Sequence, residues 1–134
     1  MALEVFIVTP NEEALNIPCE EVVAPGVEGE IGFLPGHIPL ISVLKAGVLT
    51  VRENGRPRIF AIGTGYVELD DDKVIVLTES CDRPEDIDVA EEERTISETE
   101  KELEPLGPAD PRFIQLNRTL QLARSRVEAK RRSS

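Results

Sequence analysis

The pattern of apolar residues changes its period once, near residue 86, and the change restricts the chain to a β-rich body followed by helices. Up to that point the apolar runs are short and are broken by Gly, Pro or acidic clusters, the rhythm of many short strands. The candidate strands are LEVFIVT (3–9), CEEVVAP (19–25), GVLTVRE (47–53), PRIFAIG (57–63), GYVELD (65–70) and KVIVLTE (73–79). In GVLTVRE, Val48, Thr50 and Arg52 share one face, and Leu49, Val51 and Glu53 share the other. Asn54-Gly55 is the dipeptide preferred by two-residue hairpins, because both residues tolerate positive φ, and Asp70-Asp71-Asp72 makes a polar reversal between two alternating runs. Seven or more short antiparallel strands in the first 86 residues predict a β-sandwich or flattened barrel.

From Asp88 the Gly and Pro punctuation almost stops. Asp88 is a good N-cap, with Glu91 three positions later and acids in the first turn, where the helix dipole favours them. This helix is expected over about 88–104 and ends at Pro105-Leu106-Gly107-Pro108. Asp110-Pro111 restarts a helix over 111–132, with an acid at the N-cap and proline at the first helical position. Phe113, Leu116, Leu120, Ala123 and Val127 then recur at spacings of 3, 4, 3 and 4, a strict two-per-heptad stripe. The first helix has the thinner seam of Val89, Ile96 and Leu103. So short a connection makes the pair an antiparallel hairpin, residues 87–134, appended to a sandwich of residues 1–86. Because ordering a long helix costs much of what its single stripe gains, docking of the hairpin is expected to be marginal.

Charge follows the same division. The whole chain of 134 residues carries 26 acidic and 15 basic side chains, but the last 24 residues hold seven basic and one acidic, a net +6 at the end of a −11 protein. Most of the surface would repel a phosphate backbone, and with no Trp, one Tyr and four Phe there is little for bases to stack on. Nucleic acid is therefore not an expected partner. Cys19 and Cys81 have no metal-site spacing and no nearby partner in His37, the sole histidine, so they read as reduced buried thiols and no metal is assigned. MALEVFIVTP has no basic leader and is broken by Glu4 and Pro10, so it reads as neither signal peptide nor membrane span, and any membrane link is expected to pass through another protein.

No catalytic constellation emerges. Gly63-Thr64-Gly65 continues as Tyr-Val-Glu, so it is neither a dinucleotide fingerprint nor a phosphate loop and reads as a strand corner. His37 has no sequence-local acid or serine to suggest a triad, and the acids at 70–72 lack the spacing of a calcium loop. The chain is not expected to be an enzyme on its own, and no catalytic residue and no cofactor are assigned. The most informative segment is GEIGFLPGHIPL (29–40), where apolar side chains alternate with three glycines and two prolines. It reads either as a tight bend with His37 hydrogen-bonded in place, or as a stiff protein-docking loop that exposes Ile31, Phe33 or Leu34.

In that segment the chain resembles the epsilon subunits of bacterial and chloroplast F-type ATP synthases, called delta in mitochondria. Val8-Thr9-Pro10, Glu21-Val22-Val23-Ala24-Pro25-Gly26, Gly29-Glu30-Ile31-Gly32 and Leu34-Pro35-Gly36-His37-Ile38-Pro39-Leu40 carry the resemblance. Lys45-Ala46-Gly47-Val48-Leu49, Gly63-Thr64-Gly65-Tyr66, Val74-Ile75-Val76-Leu77 and Ile87-Asp88 follow in the family's order. The resemblance implies a ten-stranded β-sandwich followed by an antiparallel two-helix hairpin, held on the rotor at the cytoplasmic side of the cell's inner membrane through the complex. It implies that the sandwich docks on the gamma subunit and the c-ring, with Glu30, Ile31, Phe33, Leu34 and His37 as contacts. It also implies that the hairpin is a regulatory arm inhibiting ATP hydrolysis in the alpha/beta catalytic head. Arg118, Arg124, Arg126, Lys130, Arg131 and Arg132 would serve either the acidic first helix or an acidic segment of the beta subunit.

One departure bears on nucleotide. Some family members bind ATP between the helices through I-D-x-x-R-A and an arginine pair four apart in the second helix. Here Ile87 and Asp88 are present, but Glu91 stands where the motif has arginine, and Leu122 falls where one of the pair would be, leaving Arg126. Losing two cations removes much of the attraction for a triphosphate, so tight ATP binding is not expected. The competing reading is a free-standing acidic β-sandwich adaptor with a helical tail.

Overall fold

A computed structural model describes residues 2–133. Among the described residues the chain forms ten strands: β1 (Leu3–Val8), β2 (Glu13–Cys19), β3 (Glu21–Gly26), β4 (Gly29–Phe33), β5 (Leu40–Leu44), β6 (Gly47–Glu53), β7 (Arg56–Ile62), β8 (Gly65–Asp70), β9 (Lys73–Thr78) and β10 (Cys81–Asp82). A single 3-10 turn (Pro84–Asp86) leads to helices α1 (Val89–Leu103) and α2 (Pro111–Ser133).

The strands form one hydrogen-bonded path, β10-β7-β6-β3-β5-β8-β9-β1-β2, with β4 on the other side of β3. Neighbours are antiparallel except β1 and β9, which run parallel. The path bends between β3 and β5, which share only the registered pair Gly26 and Leu44. Its two halves therefore face each other, and inward side chains from both meet in one core. Leu3, Val5 and Ile7 of β1, Val67 and Leu69 of β8, and Val74 and Val76 of β9 pack with Val22, Phe33, Leu49, Val51, Phe60 and Ile62 from the other half. Alternation makes this possible, since every second residue of β1 is buried and its neighbours are not.

Two tight turns hold the register. Asn54 and Gly55 have φ of 53° and 76°, the left-handed pair of a type I′ turn, and the Glu20 carboxylate accepts both their N–H groups at 2.9 and 2.7 Å. Asp71 and Asp72 repeat the left-handed pair between β8 and β9.

The segment 29–40 departs from the sequence reading. Its first five residues are not loop but strand β4, which pairs with β3 from Val22–Phe33 to Gly26–Gly29 and leaves only 34–39 irregular. The β3–β4 ladder fixes the alternation, and Phe33 consequently points into the core.

The hairpin lies on the outer face of β6 and β7. Residue α2 Ala129 packs with Val48, Ala61 and Ile87, and Ile59 flanks them. Helix α1 packs on α2 rather than on the sheet. Its seam is fuller than Val89, Ile96 and Leu103 alone: Thr99 is buried and Glu92 half-buried between them, so alternate seam positions are polar. The Asp88 carboxylate caps α1 by accepting the Glu91 N–H at 3.2 Å. Asp110 accepts the Arg112 N–H at 2.9 Å at the start of α2.

Candidate functional site: two docking faces and an arginine clasp

Three surface features stand apart from the core. The first is an apolar face that the sequence reading missed. On the outer side of β5, β8, β9 and β1, the register aligns Val43, Tyr66, Leu77 and Val8 in one row and Ile41, Glu68, Ile75 and Phe6 in the next. Ile41 is 72% exposed and Tyr66 57%, so none of the described residues covers the face, and it lies on the layer opposite the hairpin. A hollow of about 340 Å³ opens at its end beside Val8, Pro10, Tyr66 and Leu77. The available signal was that LISVL and KVIVLT are apolar in both phases of the alternation. In a two-layer sandwich such a strand has an outer side that needs a cover.

The second feature is the end of the sandwich carrying residues 34–39. Leu34 is 55% exposed and Ile38, which was not singled out from the sequence, 74%. Phe33, expected among the contacts, is fully buried and cannot touch a partner. It acts from beneath: the His37 ring stands edge-on to it at 5.7 Å, and His37 Nδ1 lies 2.8 Å from the Ile38 carbonyl. Ile31 is half-buried against the core. Glu30 is exposed, but it faces the hairpin, where Arg132 lies at 3.9 Å. Of the five predicted contacts, the structure thus keeps Leu34 and His37 at this end, turns Glu30 toward the arm, and places Ile31 and Phe33 as supports.

The third feature is where the basic helix finds its partners. Arg126 Nε donates to Asp82 Oδ2 of β10 at 2.8 Å and its Nη1 to Glu92 Oε1 of α1 at 3.4 Å. With side chains 27%, 31% and 14% exposed respectively, the three form a part-buried clasp joining sandwich, α1 and α2. Burial opposes the charge on Arg126, but the two carboxylates outweigh it and raise the Arg126 pKa, so its guanidinium stays charged at any ordinary pH. Arg124 meets Glu100 of α1 at 2.9 Å, with both side chains about half exposed. Lys130 donates to the Pro84 carbonyl at 2.9 Å. Arg131 and Arg132 both hold Glu128 of their own helix and press its pKa down to about 2. Arg118 makes no ion pair among the described residues. Among the described residues Arg124 and Arg126 thus reach acids of α1, whereas Lys130 and Arg132 turn to the sandwich, Arg131 and Arg132 hold Glu128 of their own helix, and Arg118 is exposed.

The family described as ATP synthase, Delta/Epsilon chain, beta-sandwich domain matches residues 2–84. An ATP synthase epsilon chain of Syntrophotalea carbinolica is 34% identical over 126 residues, spanning 94% of this chain and 91% of that one. The chain belongs to the ATP synthase delta/epsilon family. The epsilon chain of Geobacter sulfurreducens is 35% identical over the same shares of both chains. A chain of the Euglena gracilis mitochondrial ATP synthase, solved with OSCP, F1 and c-ring, superposes with a TM-score of 0.82 over 96% of this chain and 80% of that one. At 23% identity it speaks to the fold.

Within this family fold, the three residues singled out for nucleotide have other work. Ile87 is buried under Ala129, Asp88 caps α1, and Arg126 is held by two carboxylates. Among the described residues no three His, Cys, Asp or Glu side chains converge as metal ligands, and no helix is long and apolar enough to cross a membrane.

Proposed function

We propose that this chain is the epsilon-type subunit in the central stalk of a proton-driven ATP synthase. Residues 1–86 dock on the gamma shaft and the c-ring, and residues 87–134 form an arm that restrains ATP hydrolysis. The observation that carries the reading is the uncovered apolar face of β5, β8, β9 and β1. So much exposed Ile, Val, Leu and Tyr on one layer suits permanent burial against a large partner, and the gamma shaft is the partner of matching kind. The end bearing Leu34, His37 and Ile38 is left for the ring. Clamped on both, the sandwich makes ring and shaft turn as one body when protons drive the ring. The subunit acts by contact and restraint without catalysing a bond change, and it reaches the inner membrane, on the cytoplasmic side, through the complex.

The arm's position on β6 and β7 supports the second half of the proposal. Its basic residues are held by acids of α1, by Asp82 and Pro84 of the sandwich and by Glu128, and these are the bonds it would exchange for acids of the beta subunit in the catalytic head. Tight ATP binding is not part of the reading, because Arg126 already has two carboxylates in the place a triphosphate would need.

The test is a synthase whose subunit ends after Ile87. Assembly and proton-coupled synthesis should persist while ATP hydrolysis rises, and the chain should co-purify with gamma, alpha and beta. Hydrolysis unchanged by the truncation would make the arm a structural element, and absence from the complex would sink the whole proposal.

A further inference from the structure

We infer that Asp72 is the positioning residue of the docking loop, so that the β8–β9 turn builds the ring-facing end together with residues 34–39. The inference rests on the proposed docking of that end. Leu34, Pro35, Gly36 and His37 form a β-turn closed by the His37 N–H, which donates to the Leu34 carbonyl at 3.2 Å. Proline in second place and glycine in third, with Gly36 at φ +85°, make it a type II turn. The turn's own bond uses the His37 N–H and leaves the Gly36 N–H without a local acceptor. Asp72, 36 positions away, supplies one: its Oδ1 accepts the Gly36 N–H at 2.8 Å.

Asp72 is held firmly enough to do this. Its carbonyl accepts the Glu4 N–H of β1 at 2.9 Å, and its backbone is fixed in the left-handed region at φ +61° by the two-residue reversal between β8 and β9. A turn with two left-handed residues favours glycine in second place, where an L side chain is strained. What an aspartate offers there, and a glycine lacks, is the acceptor for Gly36. Besides this bond, the loop is rooted by Phe33 at one end, with the His37 ring edge-on to it, and by Leu40 at the other. The bond thus sets the angle at which the exposed Leu34 and Ile38 side chains leave the sandwich, and it orders them before a partner arrives.

The variants Asp72→Gly and Asp72→Asn separate this role from stability of the turn. Glycine removes the acceptor while relaxing the left-handed backbone, and asparagine keeps an acceptor oxygen and tolerates the same φ. Binding of the full chain to a detergent-solubilised c-ring should weaken about tenfold for Asp72→Gly, the size of one charge-assisted hydrogen bond, and stay within about threefold of the parent for Asp72→Asn. Amide exchange at Gly36 should speed up only in Asp72→Gly, with the unfolding midpoints of both variants at or near the parent's. Ile38→Asp is the control for the site itself. If it leaves ring binding unchanged, the docking reading fails. If Ile38→Asp weakens binding while Asp72→Gly binds like the parent, or if Asp72→Asn is as weak as Asp72→Gly, the positioning role is overturned and the docking reading stands.

Discussion

Replacing Arg126 by leucine removes a side chain that fastens α2 both to the sandwich and to α1. The Nε bond to Asp82 is short, at 2.8 Å, and the Nη1 contact with Glu92 is long, at 3.4 Å. A hydrogen bond involving a charged group contributes about 1.5–3 kcal/mol when well made, and an exposed ion pair roughly 0–1. At about one quarter exposure the Asp82 bond belongs near the lower end of the first range and the Glu92 contact inside the second, giving roughly 2 kcal/mol together. The leucine stem retains part of the packing of the arginine stem, so the loss is chiefly electrostatic. Two kcal/mol shifts a docking equilibrium about 30-fold. Hydrogen exchange read peptide by peptide is the suitable assay, because docking and global unfolding report on different amides. Amides around Leu120–Ala129 should exchange about 30-fold faster in Arg126→Leu, while those of β1 and β9 keep the parent rate. Exchanging the charges in Arg126→Glu with Glu92→Arg should recover only the α1 contact, because the new glutamate then faces Asp82. Unaltered exchange in α2, or equal acceleration in β1 and β9, would refute the clasp as the arm's fastening.

Two further substitutions or reagents probe the sandwich. A Cβ added at Gly65 would sit 1.9 Å from the Leu77 carbonyl oxygen and 2.8 Å from the Thr78 Cα, both backbone atoms, so Gly65→Ala must push β8 from β9. Urea unfolding should show a loss of about 2 kcal/mol or more, against no more than about 0.5 for Gly32→Ala, where nothing lies within 4 Å of the added atom. Burial, reinforced by the neighbouring Asp82 charge, pushes the Cys81 thiol up to about 11 from an ordinary 9.0. Below both values the thiolate fraction in the folded chain is about hundredfold lower, so alkylation at pH 8 should be slower by that factor than in urea. Labelling at the free-thiol rate would show that β10 opens.

What the residues revealed, and what they hid, follows from how local the cause is. Asn54-Gly55 announces its own turn, and the Asp88 cap and the Phe113 to Val127 stripe are set within a few positions of chain. Strand β2 was not legible, since Asn16 and Pro18 interrupt its alternation and its pairing is supplied by β1. Strand β10 has two residues and exists only because β7 offers an edge at Ala61 and Ile62. The first helix looked weakly seamed because Glu92 and Thr99 occupy alternate seam positions. Glu92 tolerates burial only because Arg126, 34 positions on, meets it there. Phe33 was misread for a related reason: the run of glycines and prolines suggested exposure, whereas the ladder with β3 decides which side of the chain faces inward.

The distribution of buried groups is consistent with the proposal that one short chain serves as both a fixed coupling and a movable restraint. Removing the arm uncovers Val48 and Ile87 with the small Ala61 and Ala129, at a cost of roughly 1.5–3 kcal/mol for each large side chain. Adding the clasp, the arm is held by an energy of the same order as the roughly 5.5 kcal/mol that carries a two-state equilibrium from one extreme to the other. A partner offering new acids to α2 supplies energies of that order. The sandwich core contains Phe33, Phe60, Leu49, Ile62 and their neighbours from both layers, none of which touches the arm's cluster, so its integrity does not depend on where the arm lies. The apolar face and the loop at 34–39 are built on that core, and the face is on the layer away from β6 and β7. Releasing the arm therefore leaves both proposed docking surfaces intact, and under the proposed function its loss should change hydrolysis and spare coupling.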